Sequence, residues 1–164
     1  MSNRIPILAM KTHRNILIAV SLFFALAASP PAFAASACTP QQRSEILALF
    51  GQWDRSLATG NAATVDANYA RDAILIPTLS NEIRRSSARR IAYFRDEFLP
   101  KKPRGKIDNA YVRCFGDIAI NSGLYTFTFG DGSKAQARYT FVYQKQSNGG
   151  WLIVEHHSSK MPKP

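Results

Sequence analysis

Three side chains near the end of the chain have types and spacing that could do chemistry: Arg138, His156 and His157. A guanidinium binds carboxylates and phosphates through paired N–H groups, and an imidazole in an apolar pocket can hold or move a proton. The segment that joins them, ARYTFVYQKQSNGGWLIVEHHSS over 137–159, alternates polar and apolar residues on both sides of Asn148-Gly149, which is a strong hairpin signal. Antiparallel pairing of the two halves brings Arg138, near the start of one strand, close to the histidines near the end of the other. Neighbouring residues on a strand point to opposite faces, so only one of His156 and His157 enters a given pocket unless a bulge intervenes.

An inward Arg138 would be a buried guanidinium and needs an acidic partner or an anionic ligand to offset its desolvation. Glu155 is one candidate and a bound carboxylate the other. Two histidines without a third ligand do not make a zinc site, and no metal or cofactor is expected. Asp66 and Asp72 read as solvated helix and loop acids, so no pair of carboxylates for acid/base work is expected.

The elements that would position these groups follow from the rest of the chain. Thr39, Pro40 and Gln42 form a capping box ahead of an apolar stripe at Ile46, Leu49, Phe50, Trp53 and Leu57, and Gly60 closes that helix. Asn61 caps a shorter helix through Val65 and Tyr69, which leads to a short strand over 73–76. A polar loop over 78–87 carries Asn81, Arg84 and Arg85, and loops leaving a strand often hold binding groups. Ser87 caps a third helix, with Ile91, Phe94 and Phe98 inward and Arg90, Asp96 and Glu97 toward water, stopping at Pro100. The period then changes, and strands are predicted over 107–115, 118–129, 134–145 and 151–159, separated by Gly/Asp/Asn turns. Helices first and an antiparallel meander afterwards predict an α+β domain with three helices on a curved sheet. The helices cover only one sheet face, and a second copy of the chain is the expected cover for the other.

With 46% hydrophobic and 20% charged residues the 164-residue chain can build one core, which excludes a disordered tail. Residues 1–34 read as a secretory signal: Lys11 and Arg14, an apolar run over 16–27, and an Ala32-Phe33-Ala34 cleavage site. Met10 is an alternative start. The apolar run is short of the ~20 residues a membrane span needs, so no stable membrane insertion is expected once the signal is removed. The remaining domain, 35–164, keeps 18 basic and 11 acidic residues, a net of +7, because Arg4, Lys11 and Arg14 leave with the signal. The basic residues Arg84, Arg85, Arg89, Arg90, Lys101, Lys102, Arg104 and Lys106 are scattered without a nucleic-acid recognition motif, so no nucleic-acid partner is expected. KKPRGK, over 101–106, reads as a connector. In a secreted or periplasmic setting Cys38 and Cys114 are expected to form a disulfide, and the residues before Cys38 lack the pattern for lipid attachment.

The stretch LATGNAATVDANYARDAILIPTLSN, the Tyr93-Phe94 pair, ARYTFVY, and Trp151 with Val154, His157 and Ser159 together resemble the nuclear transport factor 2-like (SnoaL-like) superfamily. Within it, the chain is most similar to the association domain of calcium/calmodulin-dependent protein kinase II and its small secreted bacterial relatives. The resemblance covers Gln41 to Ser159. It implies a cone-shaped, cystatin-like fold, a homodimer or higher ring, and a deep pocket between helices and sheet, and the relatives include secreted proteins with paired cysteines. No kinase domain accompanies it, so kinase or calmodulin terms would describe ancestry. It favours His157 as the pocket histidine and offers Arg138 and Arg84 as pocket cations, although the association domain's own strand arginine falls at Phe141 here. Tyr125 and Asn81 would add hydrogen bonds, and Trp53 and Tyr93 aromatic walls. Three readings stay open: a pocket for a small anionic, carboxylate-like ligand; a small lyase, isomerase or hydrolase with His157 as acid/base, as in polyketide cyclases and steroid isomerases of this shape; and an oligomerisation module alone.

Overall fold

The first helix begins where the sequence places it. In a computed structural model, which describes residues 38–162, Thr39 Oγ1 accepts from the Gln42 amide at 3.1 Å and Gln42 Oε1 accepts from the Thr39 amide at 2.9 Å. This capping box opens α1 (Pro40–Ala58), whose inward stripe is Ile46, Phe50, Trp53 and Leu57. Asn61 caps α2 (Ala62–Asp66), accepting from Ala63 and Thr64 at 2.9 and 3.2 Å. The expected secretory signal over 1–34 lies outside the described residues.

β1 (Tyr69–Ile76) is longer than the short apolar run suggests, because Tyr69 already pairs with Ile153. The loop after it returns alongside β1, where Leu75 and Arg84 exchange backbone hydrogen bonds of 3.0 and 2.9 Å. α3 (Ser87–Tyr93) is capped by Ser86, one residue earlier than the sequence suggests, and continues as a π-helical turn, Phe94–Phe98, and a 3-10 turn, Leu99–Lys101. The wider turn inserts a residue into the helical repeat, so that Tyr93, Phe94 and Phe98 are all buried.

Four long strands follow: β2 (Arg104–Phe115), β3 (Ile118–Thr128), β4 (Lys134–Lys145) and β5 (Trp151–Lys160). They form an antiparallel meander, and β1 joins its far edge parallel to β5, giving the order β1-β5-β4-β3-β2. The pairing of β2 with β3 shifts between Ile107 and Asn109, and Gly123 pairs with Ala110 just beyond this irregularity. A Cβ on Gly123 would come within 2.2 Å of the Asn109 carbonyl oxygen, so the close approach there requires glycine. This is the α+β architecture expected, with the helices on one face of a bent sheet.

Phe50 and Trp53 of α1 pack onto the inward face of the sheet, with ring centroids 6.2 and 5.6 Å from Phe141. Burying side chains of this size contributes about 2–3 kcal/mol each, so this aromatic layer carries much of the fold. Cys38 and Cys114 are joined in a disulfide with Cα atoms 5.2 Å apart, fastening the start of α1 to the end of β2.

One expectation about charge is corrected. Arg90 does not face water: it is fully buried, its Nε 2.6 Å from Asp66 Oδ1, and its other nitrogens donate to the Ala73 and Ala70 carbonyls at 2.6 and 2.9 Å. Asp66 is likewise buried rather than solvated. The short helices α2 and α3 pack against each other and β1 on the side that a single-helix period reads as wet, and the paired charges satisfy one another there.

Candidate functional site

Between α1, the end of α3 and the inward face of the sheet lies a cavity of about 280 Å3. Its walls are mostly apolar, with aromatic rings from Trp53, Tyr93, Phe94, Phe98, Tyr125 and Phe127 among them. Its polar lining is Thr78, Gln136, His156, Ser158 and Lys160.

The sheet register decides which side chains arrive there. On β4, Ala137, Tyr139, Phe141 and Tyr143 are buried and Arg138 between them is exposed. On β5, Val142 pairs with Glu155 but Tyr143 with Ile153, leaving Val154 as an extra residue. Without that bulge, strict alternation from the buried Ile153 would bring Glu155 and His157 inward. The bulge shifts the set by one, so His156 and Ser158 are buried opposite Phe141 and Tyr139, while Glu155 and His157 are exposed.

The residues singled out from the sequence therefore divide. Trp53, Tyr93 and Tyr125 line the cavity. Arg138 and His157 are on the opposite face of the sheet, so neither reaches the cavity, and Arg138 forms no ion pair with Glu155 or any other acid among the described residues. Asn81 is exposed and does not line it. Arg84 is buried beside the site, not in it: its guanidinium contacts Glu82 at 2.5 Å and Glu97 at 2.7 Å and lies 5.6 Å from the centre of the Tyr93 ring. Sequence reasoning missed Thr78 and Ser158. The available signal was the repeat of a His two residues before a Ser at the end of β5.

His156 is held in one protonation state. Trp53 Nε1–H, which can only donate, reaches Tyr69 Oη at 3.0 Å, and that oxygen is 2.9 Å from His156 Nδ1. The Tyr69 oxygen accepts from the indole, and among the described residues its own proton has no acceptor other than Nδ1, so the hydroxyl donates to Nδ1 and the imidazole proton sits on Nε2. Nε2 is buried and has no partner among the described residues. The ring stacks on Phe141 with centroids 4.0 Å apart and meets Trp53 edge-on at 5.4 Å. Burial, reinforced by the nearby charge of His157, pushes the His156 pKa down to about 3, so the ring is neutral at physiological pH.

Beside it runs a chain of hydroxyls. Tyr125 Oη donates to Ser158 Oγ at 2.5 Å, and Ser158 in turn hydrogen-bonds Thr78 Oγ1. Burial pushes the Tyr125 phenol up, and it stays protonated. Whichever of Ser158 and Thr78 donates to the other, the other one's hydroxyl proton is left over. The polar part of the cavity thus offers two spare donors, that proton and His156 Nε2–H, and Lys160 is the ammonium on its lining. Among the described residues no three His, Cys, Asp or Glu side chains gather as metal ligands, and no helix is long and apolar enough to cross a membrane.

A family model described as the calcium/calmodulin dependent protein kinase II association domain matches residues 42–162. A crystal structure from Xanthomonas campestris, assigned to the same association domain, shares 45% identity over 81% of this chain and 99% of its own, with a TM-score of 0.72. Two more distant structures share the fold: a nuclear transport factor 2-like protein from Salmonella enterica serovar Typhimurium (20% identity, 74% and 92% of the two chains, TM-score 0.61) and the iota-carbonic anhydrase from a cyanobacterium complexed with bicarbonate (23% identity, 83% and 99%, TM-score 0.65). Curated protein sequences give no match.

Proposed function

The chain belongs to the calcium/calmodulin-dependent protein kinase II association-domain family, and from that premise we propose an exported, self-associating protein whose cavity holds a small carboxylate-like anion of about the size of bicarbonate. The observation that carries this is the pair of spare donors in an otherwise apolar cavity. Two oxygens on one carbon match two donors, and the aromatic walls leave water few competing partners. Burying an anion among neutral groups is costly, and Lys160 supplies the compensating positive field. Arg138 and His157, on the exposed sheet face, take no part in this proposal.

A second reading, turnover of the same ligand, is favoured by the hydroxyl chain. CO2 and water give bicarbonate and a proton, and the Ser158–Thr78 hydrogen bond, which can run in either direction, leads from the cavity to half-buried Thr78, where the proton passes to solvent water. The iota-carbonic anhydrase of the same fold, itself complexed with bicarbonate, supports testing that reaction. General-base catalysis by His156 is disfavoured, because a group with a pKa near 3 is too weak a base at neutral pH.

Self-association through the sheet is supported by its outward face, where Tyr111 is 68% exposed and Ile120, Leu124 and Val142 are half-buried. Export is supported by the leader read over 1–34 and by the disulfide, a bond that persists in oxidising compartments. The test is a thermal shift with bicarbonate and acetate, paired with isotope exchange between labelled CO2 and water, on the wild type and Ser158→Ala. Binding predicts stabilisation of the wild type that Ser158→Ala removes, and turnover predicts exchange lost in the same variant. A wild type stabilised by neither anion overturns the proposal.

A further inference from the structure

Beside the cavity lies a second hollow, of about 480 Å3, and the two share Leu79, Phe129 and Ala135 as common walls. The rest of its lining comes from Pro100, Lys101 and Lys102 and from the turn between β3 and β4. The first part of KKPRGK, read from sequence as a connector, therefore stands at the edge of the cavity.

Both lysines are held by that turn. The Gly130 amide donates to the Lys101 carbonyl at 2.9 Å. Lys102 has φ 50, a left-handed conformation that a residue with a side chain adopts only when its surroundings fix it. Its stem lies against Gly130, where an added Cβ would meet Lys102 Cβ and Cδ at 3.0 Å. One acid, Asp131, also lines the hollow, and one of its carboxylate oxygens, Oδ1, accepts from the Ser133 amide and hydroxyl at 2.9 and 2.7 Å. Counting Lys160 on the adjoining cavity, the joint lining holds three cations against one anion.

We propose that this hollow is the entrance to the cavity and that Lys101 and Lys102 draw the anion through it, setting its rate of entry. The inference rests on the anion-binding reading above. Two unit charges on the order of 10 Å from an entering anion change its rate of arrival by about fourfold in dilute salt. The effect fades at ~1 M salt, where the screening length falls to about 3 Å.

The probes are 13C-labelled bicarbonate and acetate, whose exchange line shapes give rates of association and dissociation with the full-length protein. Lys101→Gln/Lys102→Gln is expected to lower the association rate about fourfold in dilute salt and to match the wild type in 1 M salt. Arg71→Gln/Lys145→Gln removes the same net charge near the opposite end of β5 and is expected to leave the rate within a factor of 1.5, on the order set by screening over that distance. If the wild type binds and Ser158→Ala does not, but the two double variants behave alike, the entrance is wrong and the cavity reading stands. If the wild type exchanges with neither anion, the cavity reading fails and the entrance with it.

Discussion

Tyr69→Phe removes one oxygen from a residue that is 4% exposed, and with it both partners of that oxygen lose their hydrogen bonds. Trp53 Nε1–H loses its 3.0 Å acceptor and His156 Nδ1 its 2.9 Å donor. A buried polar group left without a partner costs about 1–3 kcal/mol, so with two stranded the variant is expected to lose about 2–6 kcal/mol, a large share of the roughly 5–15 kcal/mol that holds a domain together. Urea unfolding followed by circular dichroism, with the disulfide intact, measures the loss. His156→Phe supplies the control, since in that background only the indole is stranded and the cost of Tyr69→Phe should fall by about 1–2 kcal/mol. That difference is the coupling in a double-mutant cycle. 15N spectra of the imidazole should show the proton on Nε2 in the wild type and a tautomer mixture in Tyr69→Phe. A cost under about 0.5 kcal/mol, or additivity within that amount, would refute the claim that Tyr69 fixes His156.

Acid should weaken the fold through the same histidine: the unfolded chain takes up a proton below about 6.5, the folded one only near 3, so this stabilisation is full above pH 6.5 and is lost on the way down at up to about 1.4 kcal/mol per pH unit. Urea midpoints between pH 7.5 and 4 should show that slope in the wild type and a flatter one in His156→Phe. Replacing Cys38 and Cys114 with serine opens a loop closed across a sequence separation of 76, and unfolding experiments should find about 4 kcal/mol of stability lost. Size exclusion with light scattering should give a mass above one chain, reduced by Tyr111→Arg/Val142→Arg on the outward sheet face; a monomeric wild type would contradict the account of that face.

Local signals carried the fold well, because each element announces itself within a few residues. Thr39 and Gln42 cap α1, Asn61 caps α2, and the Asn148-Gly149 turn sets the last hairpin. What escaped depends on contacts between elements. Arg90 lies on the polar side of its own helix, and only the neighbouring Asp66 and the carbonyls of β1 make that side an interior. The site failed to emerge for a similar reason: a single extra residue, Val154, sets which alternate side chains of β5 face the helices, and alternation in sequence cannot reveal it. Trp53, Tyr93 and Tyr125 do line the cavity, since large aromatics on inward faces have one place to go, whereas the histidine on its lining is His156 and not the favoured His157. Thr78 and Ser158 are small and polar, and only their meeting across 80 residues of sequence gives them meaning.

The bulge at Val154 bears on how the chain tolerates changes of length. In most strands, adding or removing one residue turns the whole inward set outward and substitutes unrelated chemistry. Here the end of β5 reads His156-His157-Ser158-Ser159, so a one-residue slip replaces a His-x-Ser pair with a second copy of itself. The strand carries a spare of its own polar end, and the frame of the lining can move without the cavity losing an imidazole and a hydroxyl.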